Sequence, residues 1–295
     1  MSSEPSSTIH VPVLPTEVID ALRITSQGIY VDGTIGGGGH AELVASQLDP
    51  DGLLIGLDQD LMALNRCETR LSGKPVILAH SNFCELPEVL EQINVGPING
   101  ILLDLGLSSD QLEDTERGFS FNSTGPLDLR FNTASGEPAW RLIQRLRPEH
   151  LANLIYEFGE ERLSRRIARK LSERSKKIPL KSAKDIADVI CSCYPHSNQK
   201  RIHPATRTFQ ALRIAVNNEL KSLEIALRRL PDLLTPSGIF AIISFHSLED
   251  RRVKHAFRED KRLEVITKRP IVASPEEVDS NPRSRSAKLR VAQRI

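Results

Sequence analysis

Aromatic side chains are scarce in this 295-residue chain, at 4% with a single Trp, which excludes the broad stacking platforms of single-strand nucleic-acid binders. No apolar run approaches the length of a membrane span, and the opening Met1-Ser2-Ser3-Glu4-Pro5-Ser6-Ser7 lacks the apolar stretch of a signal peptide. No membrane partner is expected, and a cytoplasmic location is. The four cysteines, Cys67, Cys84, Cys191 and Cys193, show no disulfide-framework spacing, which fits a reducing compartment. Cys191-x-Cys193, with His196 and His203 nearby, is not a standard zinc pattern, so no metal site is expected. Positive charge is nearly missing from one end of the chain. Residues 1–110 hold 4 Lys and Arg against 15 Asp and Glu, whereas the remainder holds 35 against 23, beneath a net charge of only +1. Such a split points to one part that handles a cofactor and another that meets a polyanion.

What the acidic end does contain is the run Tyr30-Val31-Asp32-Gly33-Thr34-Ile35-Gly36-Gly37-Gly38-Gly39-His40, followed by apolar-periodic residues from Ala41 to Leu48. It reads as a strand ending in an acid, a glycine loop and a helix. A backbone without Cβ atoms can pass close to a ligand, so a nucleotide-like cofactor is the first inference. Leu53-Leu54-Ile55-Gly56-Leu57-Asp58 is a second apolar run ending in a carboxylate, about twenty residues past the loop, where an acid meets ribose hydroxyls. Val76 to Ala79 and Gly100 to Asp104 continue the series, separated by the helix-like segments Leu61 to Leu71 and Leu86 to Ile93. Alternating β and α units predict a parallel sheet covered on both faces, with ligands at the carboxyl ends of its strands. Asp32, Asp58 and Asp104 fall there; the competing reading of each is a solvated strand-end acid.

No Gly-Lys-Ser/Thr follows the glycines, which argues against a P-loop. An acid just before the loop repels a pyrophosphate but attracts a sulfonium and an ammonium group, favouring S-adenosylmethionine over NAD. The fourth strand ends Asp104-Leu105-Gly106-Leu107-Ser108-Ser109-Asp110-Gln111. An exocyclic base amine is a poor nucleophile and needs an acceptor for its proton; Asp104 or a nearby carbonyl fits that role, with the base taken out of its stack. Asp104 fits equally well as a cofactor anchor, and both roles stay open. Ser244-Phe245-His246-Ser247 lacks the Gly-x-Ser-x-Gly elbow, which disfavours a hydrolase; His246 is either structural or part of a base pocket.

After Asp104 the strands stop, and the next, Gly238 to Ser244, comes much later. Helices are predicted to start within Ser135-Gly136-Glu137-Pro138 and run through Trp140 to Leu146, from Pro148 to Gly159, over Glu160–Ser175 and over Ser182–Cys193, punctuated by Pro179 and Pro195. The expected organisation is a sheet domain at 1–112 and 204–295 with an inserted all-helical domain at 113–203. The sheet part resumes with one helix from Thr206 to Leu230, and the runs at Leu263 and Lys288 alternate like an antiparallel pair. Within the insertion Arg162, Arg165, Arg166 and Arg169 share a helical face able to neutralise phosphates, the competing reading being a solvated face. Arg283, Arg285, Lys288 and Arg290 form a second basic cluster.

These segments resemble the bacterial ribosomal RNA small-subunit methyltransferase H family, the 16S rRNA cytosine-N4 methyltransferases. The likeness runs through His10-x-Pro12-Val13-Leu14, Asp32 to His40, Gly56-Leu-Asp58-Gln-Asp60, Leu103 to Gln111, Arg117 to Phe121 and Pro126 to Arg130. It continues through His203 to Arg213, Ser244 to Arg251 and Asn281 to Arg290, and so covers nearly the whole chain. The resemblance implies a class I S-adenosylmethionine-dependent methyltransferase with a Rossmann-like sheet and an inserted helical domain that docks RNA. It implies cofactor contacts from Gly38, Gly39, His40, Asp58, Phe83, Asp104 and Gln111. It also implies methylation of cytidine N4 in the decoding region of 16S rRNA within the small ribosomal subunit. Both the family and this chain lack the Asp/Asn-Pro-Pro-Tyr/Phe motif of many amino-methyltransferases, which leaves the proton acceptor open. Leu129 and Phe131 stand where methionines are common, and Ala41 where serine is. The readings set against this one are an NAD-dependent oxidoreductase and a non-catalytic RNA-binding assembly factor; the oligomeric state is open, a homodimer being one form.

Overall fold

The computed structural model describes residues 11–178, 180–195 and 203–295; His10, Pro179, His196 and the serine-rich start lie outside these. The chain divides into two compact units, one formed by 1–108 and 220–295 and the other by 109–219.

The first unit is built on a seven-stranded sheet. Its elements in chain order are α1 (Pro15–Leu22), β1 (Ile29–Asp32), α2 (Gly39–Ala45), β2 (Leu53–Asp58), α3 (Leu61–Arg70), β3 (Val76–His80), α4 (Leu86–Gln92) and β4 (Ile98–Asp104). The chain leaves for the second unit, which holds α5 (Ser109–Glu113), α6 (Ala139–Arg145), α7 (Pro148–Gly159), α8 (Ser164–Lys177), α9 (Ala183–Cys191) and α10 (Thr206–Asn217). It returns through α11 (Glu219–Arg229), β5 (Leu234–Ser244), α12 (Ser247–Glu259), β6 (Leu263–Val265), α13 (Pro275–Ser280) and β7 (Lys288–Arg294).

The sheet order is β3-β2-β1-β4-β5-β7-β6. The first five strands are parallel, and β7 runs antiparallel to both β5 and β6. The apolar runs are nearly continuous because both faces are buried. Alternation divides them: Val31, Ile55, Leu57, Ile101, Leu103, Phe240 and Ile242 face α4, α11 and α12, while Tyr30, Leu54, Leu102, Ile239, Ala241 and Ile243 face α1, α2 and α3. This is the Rossmann-like sheet that the resemblance implied. The order reverses between β1 and β4, and in such sheets the carboxyl ends at that point form the binding crevice.

The expected helix from Thr206 to Leu230 is two helices. Asn218 sits at φ 52 in the left-handed region, which ends α10 before α11 begins at Glu219. The same residue type marks no break in a reading based on apolar spacing. The division between units falls beside this break, so α10 belongs to the helical unit, where it packs against α7. The expected helix over Glu160–Ser175 begins only at Ser164, because Glu160, at φ 49, caps α7.

In the helical unit the buried faces are those of Leu151, Ala152 and Ile155 on α7, Ile167, Ala168 and Leu171 on α8, and Ile186, Ala187 and Ile190 on α9. The segment before α6 has little regular structure and is held by side chains instead. Asn217 gives its Nδ2 hydrogen to the Leu129 carbonyl at 2.7 Å and accepts the Phe131 N–H at 2.7 Å, and Arg117 Nη2 donates to the Arg130 and Phe131 carbonyls at 2.9 and 3.0 Å. These bonds give Arg117, Leu129 and Arg130, from the runs Arg117 to Phe121 and Pro126 to Arg130, a structural role.

Where α7 meets α10 the backbones nearly touch: a Cβ on Gly159 would fall 2.4 Å from the Arg207 carbonyl oxygen. Gly159→Ala is therefore expected to destabilise the protein by about 1–3 kcal/mol, measured as a lower denaturation midpoint at unchanged m-value. A midpoint equal to that of the parent protein would contradict this packing.

Candidate functional site

The glycine loop continues β1 outward and is stitched to the strand on either side. Gly33 N–H donates to the Leu102 carbonyl at 2.9 Å, and Ile35 N–H to the Leu57 carbonyl at 2.9 Å. Gly33 has no room for a side chain, since a Cβ there would lie 2.5 Å from Leu103 Cδ2 and 3.0 Å from Phe83 Cβ. Gly38, at φ 77, turns the chain into α2, a conformation an L side chain rarely adopts.

Three carboxylates end the three adjacent strands β2, β1 and β4. Asp58, at the end of β2, takes the Gly36 N–H on Oδ2 at 2.9 Å and the Asp60 N–H on Oδ1 at 2.9 Å, so it ties the loop to the start of α3. Asp32, at the end of β1, accepts the Thr34 N–H at 3.1 Å and is only 2% exposed. Asp104, at the end of β4, accepts the Gly106 N–H on Oδ1 at 3.2 Å, while its own N–H donates to Thr34 Oγ1 at 2.6 Å.

Burial pushes the Asp32 carboxyl up to about 7, with smaller contributions from the charges of Asp104 and Asp58 against the lowering effect of the Thr34 N–H. Burial likewise pushes Asp58 up to about 6, opposed by its backbone donors. Among the described residues neither acid has an ion-pair partner. Buried carboxylates without a counter-charge are costly, and a cationic ligand removes that cost.

His40 opens the first turn of α2 and is buried. Its Nε2 lies 2.8 Å from the Val13 carbonyl, which can only accept, so Nε2 carries the proton. Nδ1 is then turned toward Asp104 Oδ2 at 3.8 Å, an ion pair only when the ring is protonated. Pro12 packs on Gly39, where a Cβ would fall 3.0 Å from Pro12 Cδ. The Pro12-Val13-Leu14 run thus serves the loop from the far side.

The sheet unit therefore brings together Gly38, Gly39, His40, Asp58, Phe83 and Asp104. Phe83, at the start of a 3₁₀ turn after β3, stands against the loop. Gln111 lies in α5 of the helical unit and is buried there. Several contributors escaped the sequence reading. Thr34 links β4 to the loop; Cys67 Sγ lies 3.4 Å from the Gly36 carbonyl; Arg70 Nη1 donates to the Gly37 carbonyl at 2.7 Å. Burial holds the Cys67 thiol up at about 12, so it stays protonated and unreactive. Cys67 and Arg70 lie one helical turn apart on α3, and only the packing of α3 on the loop gives that spacing meaning.

Other expectations are sorted by the same geometry. His246 caps α12, its Nδ1 accepting the Glu249 N–H at 3.4 Å while the Glu249 carboxylate accepts the Phe245 N–H at 2.9 Å, which favours its structural reading. In the second basic cluster, Lys288 and Arg290 both pair with Asp250, at 3.2 and 2.7 Å. Among the described residues no group of His, Cys, Asp and Glu is placed to hold a metal ion, and no helix is long and apolar enough to cross a membrane.

The model of the MraW methylase family matches residues 7–295. Over 297 residues the chain is 48% identical to the ribosomal RNA small subunit methyltransferase H of Synechococcus elongatus, covering 100% of this chain and 97% of that protein. It is 46% identical over 299 residues to the protein of the same name from Prochlorococcus marinus, covering 98% and 96%. Among solved structures, an rRNA methylase from Streptococcus thermophilus aligns at a TM-score of 0.44 and 12% identity, over 95% of this chain and 93% of that one.

The raised Asp32 carboxyl makes the stability of the fold depend on pH. It holds a proton more tightly in the folded than in the unfolded chain, so this group erodes the stability of the cofactor-free protein as pH rises from about 4 to about 7. Asp32→Asn keeps the acceptor for Thr34 and removes the titration. Its melting temperature relative to the parent protein should climb across that interval and level off above it. A difference independent of pH would refute the assignment.

Proposed function

The chain belongs to the MraW methylase family, and on that basis we propose that it methylates N4 of a cytidine in the decoding region of 16S rRNA, in the small ribosomal subunit and in the cytoplasm, using S-adenosylmethionine. The observation that carries the reading is 48% identity over the whole chain to a protein named ribosomal RNA small subunit methyltransferase H. The uncompensated acids at the ends of β1 and β2 support a cationic cofactor, and the acidic repulsion they exert argues against a pyrophosphate.

Bound there, S-adenosylmethionine supplies an electrophilic methyl group on a positively charged sulfur. The chain's own residues do the holding. Gly38 and Gly39 keep the loop free of side chains, and His40 is oriented by the Val13 carbonyl. Each Asp58 oxygen already accepts one backbone N–H and retains a lone pair for a ribose hydroxyl. Phe83 offers an apolar face for the adenine, and Gln111 joins the set through the family resemblance. Asp104 has Oδ1 engaged by Gly106 and Oδ2 turned toward His40, which supports cofactor anchoring over acceptance of the amine proton.

Incubation of the protein with methyl-labelled cofactor and small subunits from a strain lacking the enzyme is expected to yield N4-methylcytidine in 16S rRNA by nucleoside mass spectrometry. Subunit binding without label would leave a non-catalytic assembly factor, and NAD binding in place of S-adenosylmethionine an oxidoreductase. Asp104→Asn is expected to weaken S-adenosylmethionine binding about tenfold or more by calorimetry, as loss of a buried charge contact does. Unchanged affinity with abolished turnover would instead make Asp104 the proton acceptor.

A further inference from the structure

Basic charge in the helical unit is concentrated on α8, whose fourteen residues include seven Lys or Arg and one acid. Wrapped at 3.6 residues per turn, these charges separate into two stripes flanking the buried face of Ile167, Ala168 and Leu171. One stripe carries Arg165, Arg169, Ser172 and Lys176, at successive spacings of four, three and four. Arg162, expected on this face, precedes the helix and does not share it. The other stripe runs toward α9.

Each stripe borders a cleft, and the two differ in charge. The cleft between α8 and α9, of about 540 Å³, is lined by Lys170, Arg174 and Lys177 but also by Glu173, Asp185 and Asp188. Its charges compensate one another. The cleft between α8 and the chain joining α6 to α7, of about 470 Å³, is lined by Arg145, Arg147, Ser172, Ser175 and Lys176 with an apolar floor, and by no acid.

Arg145 is held by Glu137 at 2.9 Å, but among the described residues Arg147 and Lys176 have no ion-pair partner. Ser172 Oγ is buried without a hydrogen-bond partner. Arg147 is also the N-cap of the twelve-residue α7, so the positive end of that helix borders the same cleft. Two unpaired cations, an unsatisfied hydroxyl and a helix start match one kind of ligand: an anion carrying several acceptor oxygens.

We propose that this acid-free cleft between α6 and α8 binds backbone phosphates of the RNA substrate, with Arg147 and Lys176 as the charged contacts and Arg165 and Arg169 continuing the track along α8. The inference rests on the rRNA-methyltransferase reading for the identity of the polyanion. The competing anion, an acidic protein surface, presents carboxylates in place of phosphates; charge alone does not separate the two, and the salt dependence and choice of target below do.

The test compares the full-length protein with the double variant Arg147→Ala, Lys176→Ala, and with Arg147→Lys as the conservative control. Binding of deproteinised 16S rRNA is measured across a salt series, alongside S-adenosylmethionine affinity and circular dichroism to verify folding. The double variant should bind RNA on the order of tenfold more weakly near 0.1 M salt, and the magnitude of its log K against log salt slope should fall by about 1.5 to 2. Cofactor affinity should be unchanged, and Arg147→Lys should restore most of the slope. An unchanged slope with normal folding overturns the proposal. So does a loss of binding to small subunits with none to deproteinised RNA, which would make the occupant a protein. Failure of the parent protein to methylate rRNA would defeat the functional reading separately, since the RNA-binding comparison does not depend on turnover.

Discussion

The segment from Asp32 to Gly39 has almost no side chains of its own, and its shape is imposed by bonds from both neighbouring strands. Gly33 is tied to β4 and Ile35 to β2, and Asp58 reaches back from the end of β2 to the Gly36 N–H. Because β1 is an interior strand, with β2 on one side and β4 on the other, a single turn can be clamped from both directions. A loop at an edge strand would lack one clamp. Asp104 is placed beside the glycine loop by the register of β4 on β1, Phe83 by the turn that follows β3, and His40 by the helix that the loop leads into.

The same arrangement concentrates carboxylates. Parallel strands end side by side, so an acid at each end places Asp32, Asp58 and Asp104 near one another, and burial raises the proton affinity of the first two. The stability lost in this way is a local conflict that a ligand of the right charge resolves. Functional sites are where such conflicts are expected to persist. In the helical unit the conflict has the opposite sign: α8 gathers cations and leaves some of them without acids.

Much of this was legible in the residues. The strands were readable because burial on both faces demands near-continuous apolar runs, and the loop because the acid-ended apolar runs around it agree with it. Helix ends were less legible. Glu160 and Asn218 both adopt left-handed backbone, which glycine would have advertised and these residues do not. The antiparallel pairing of β6 with β7 was legible in their alternation, but the pairing of β7 with β5 and the turn of Arg290 and Lys288 to Asp250 were hidden, since those partners lie far apart in the chain.

The sequence by itself determined the alternation of the first four strands with helices, the acid-bounded glycine loop and the family. These depend on local periodicity and on strings of adjacent residues, which a linear reading preserves. Tertiary structure alone decided which carboxylates lose water, which carbonyl fixes the His40 ring, and how the charges of α8 divide. In the chain Glu173 stands among cations and blurs the run. Only the helical turn, packed beside α6 and α9, carries that acid to one cleft and leaves the other without any.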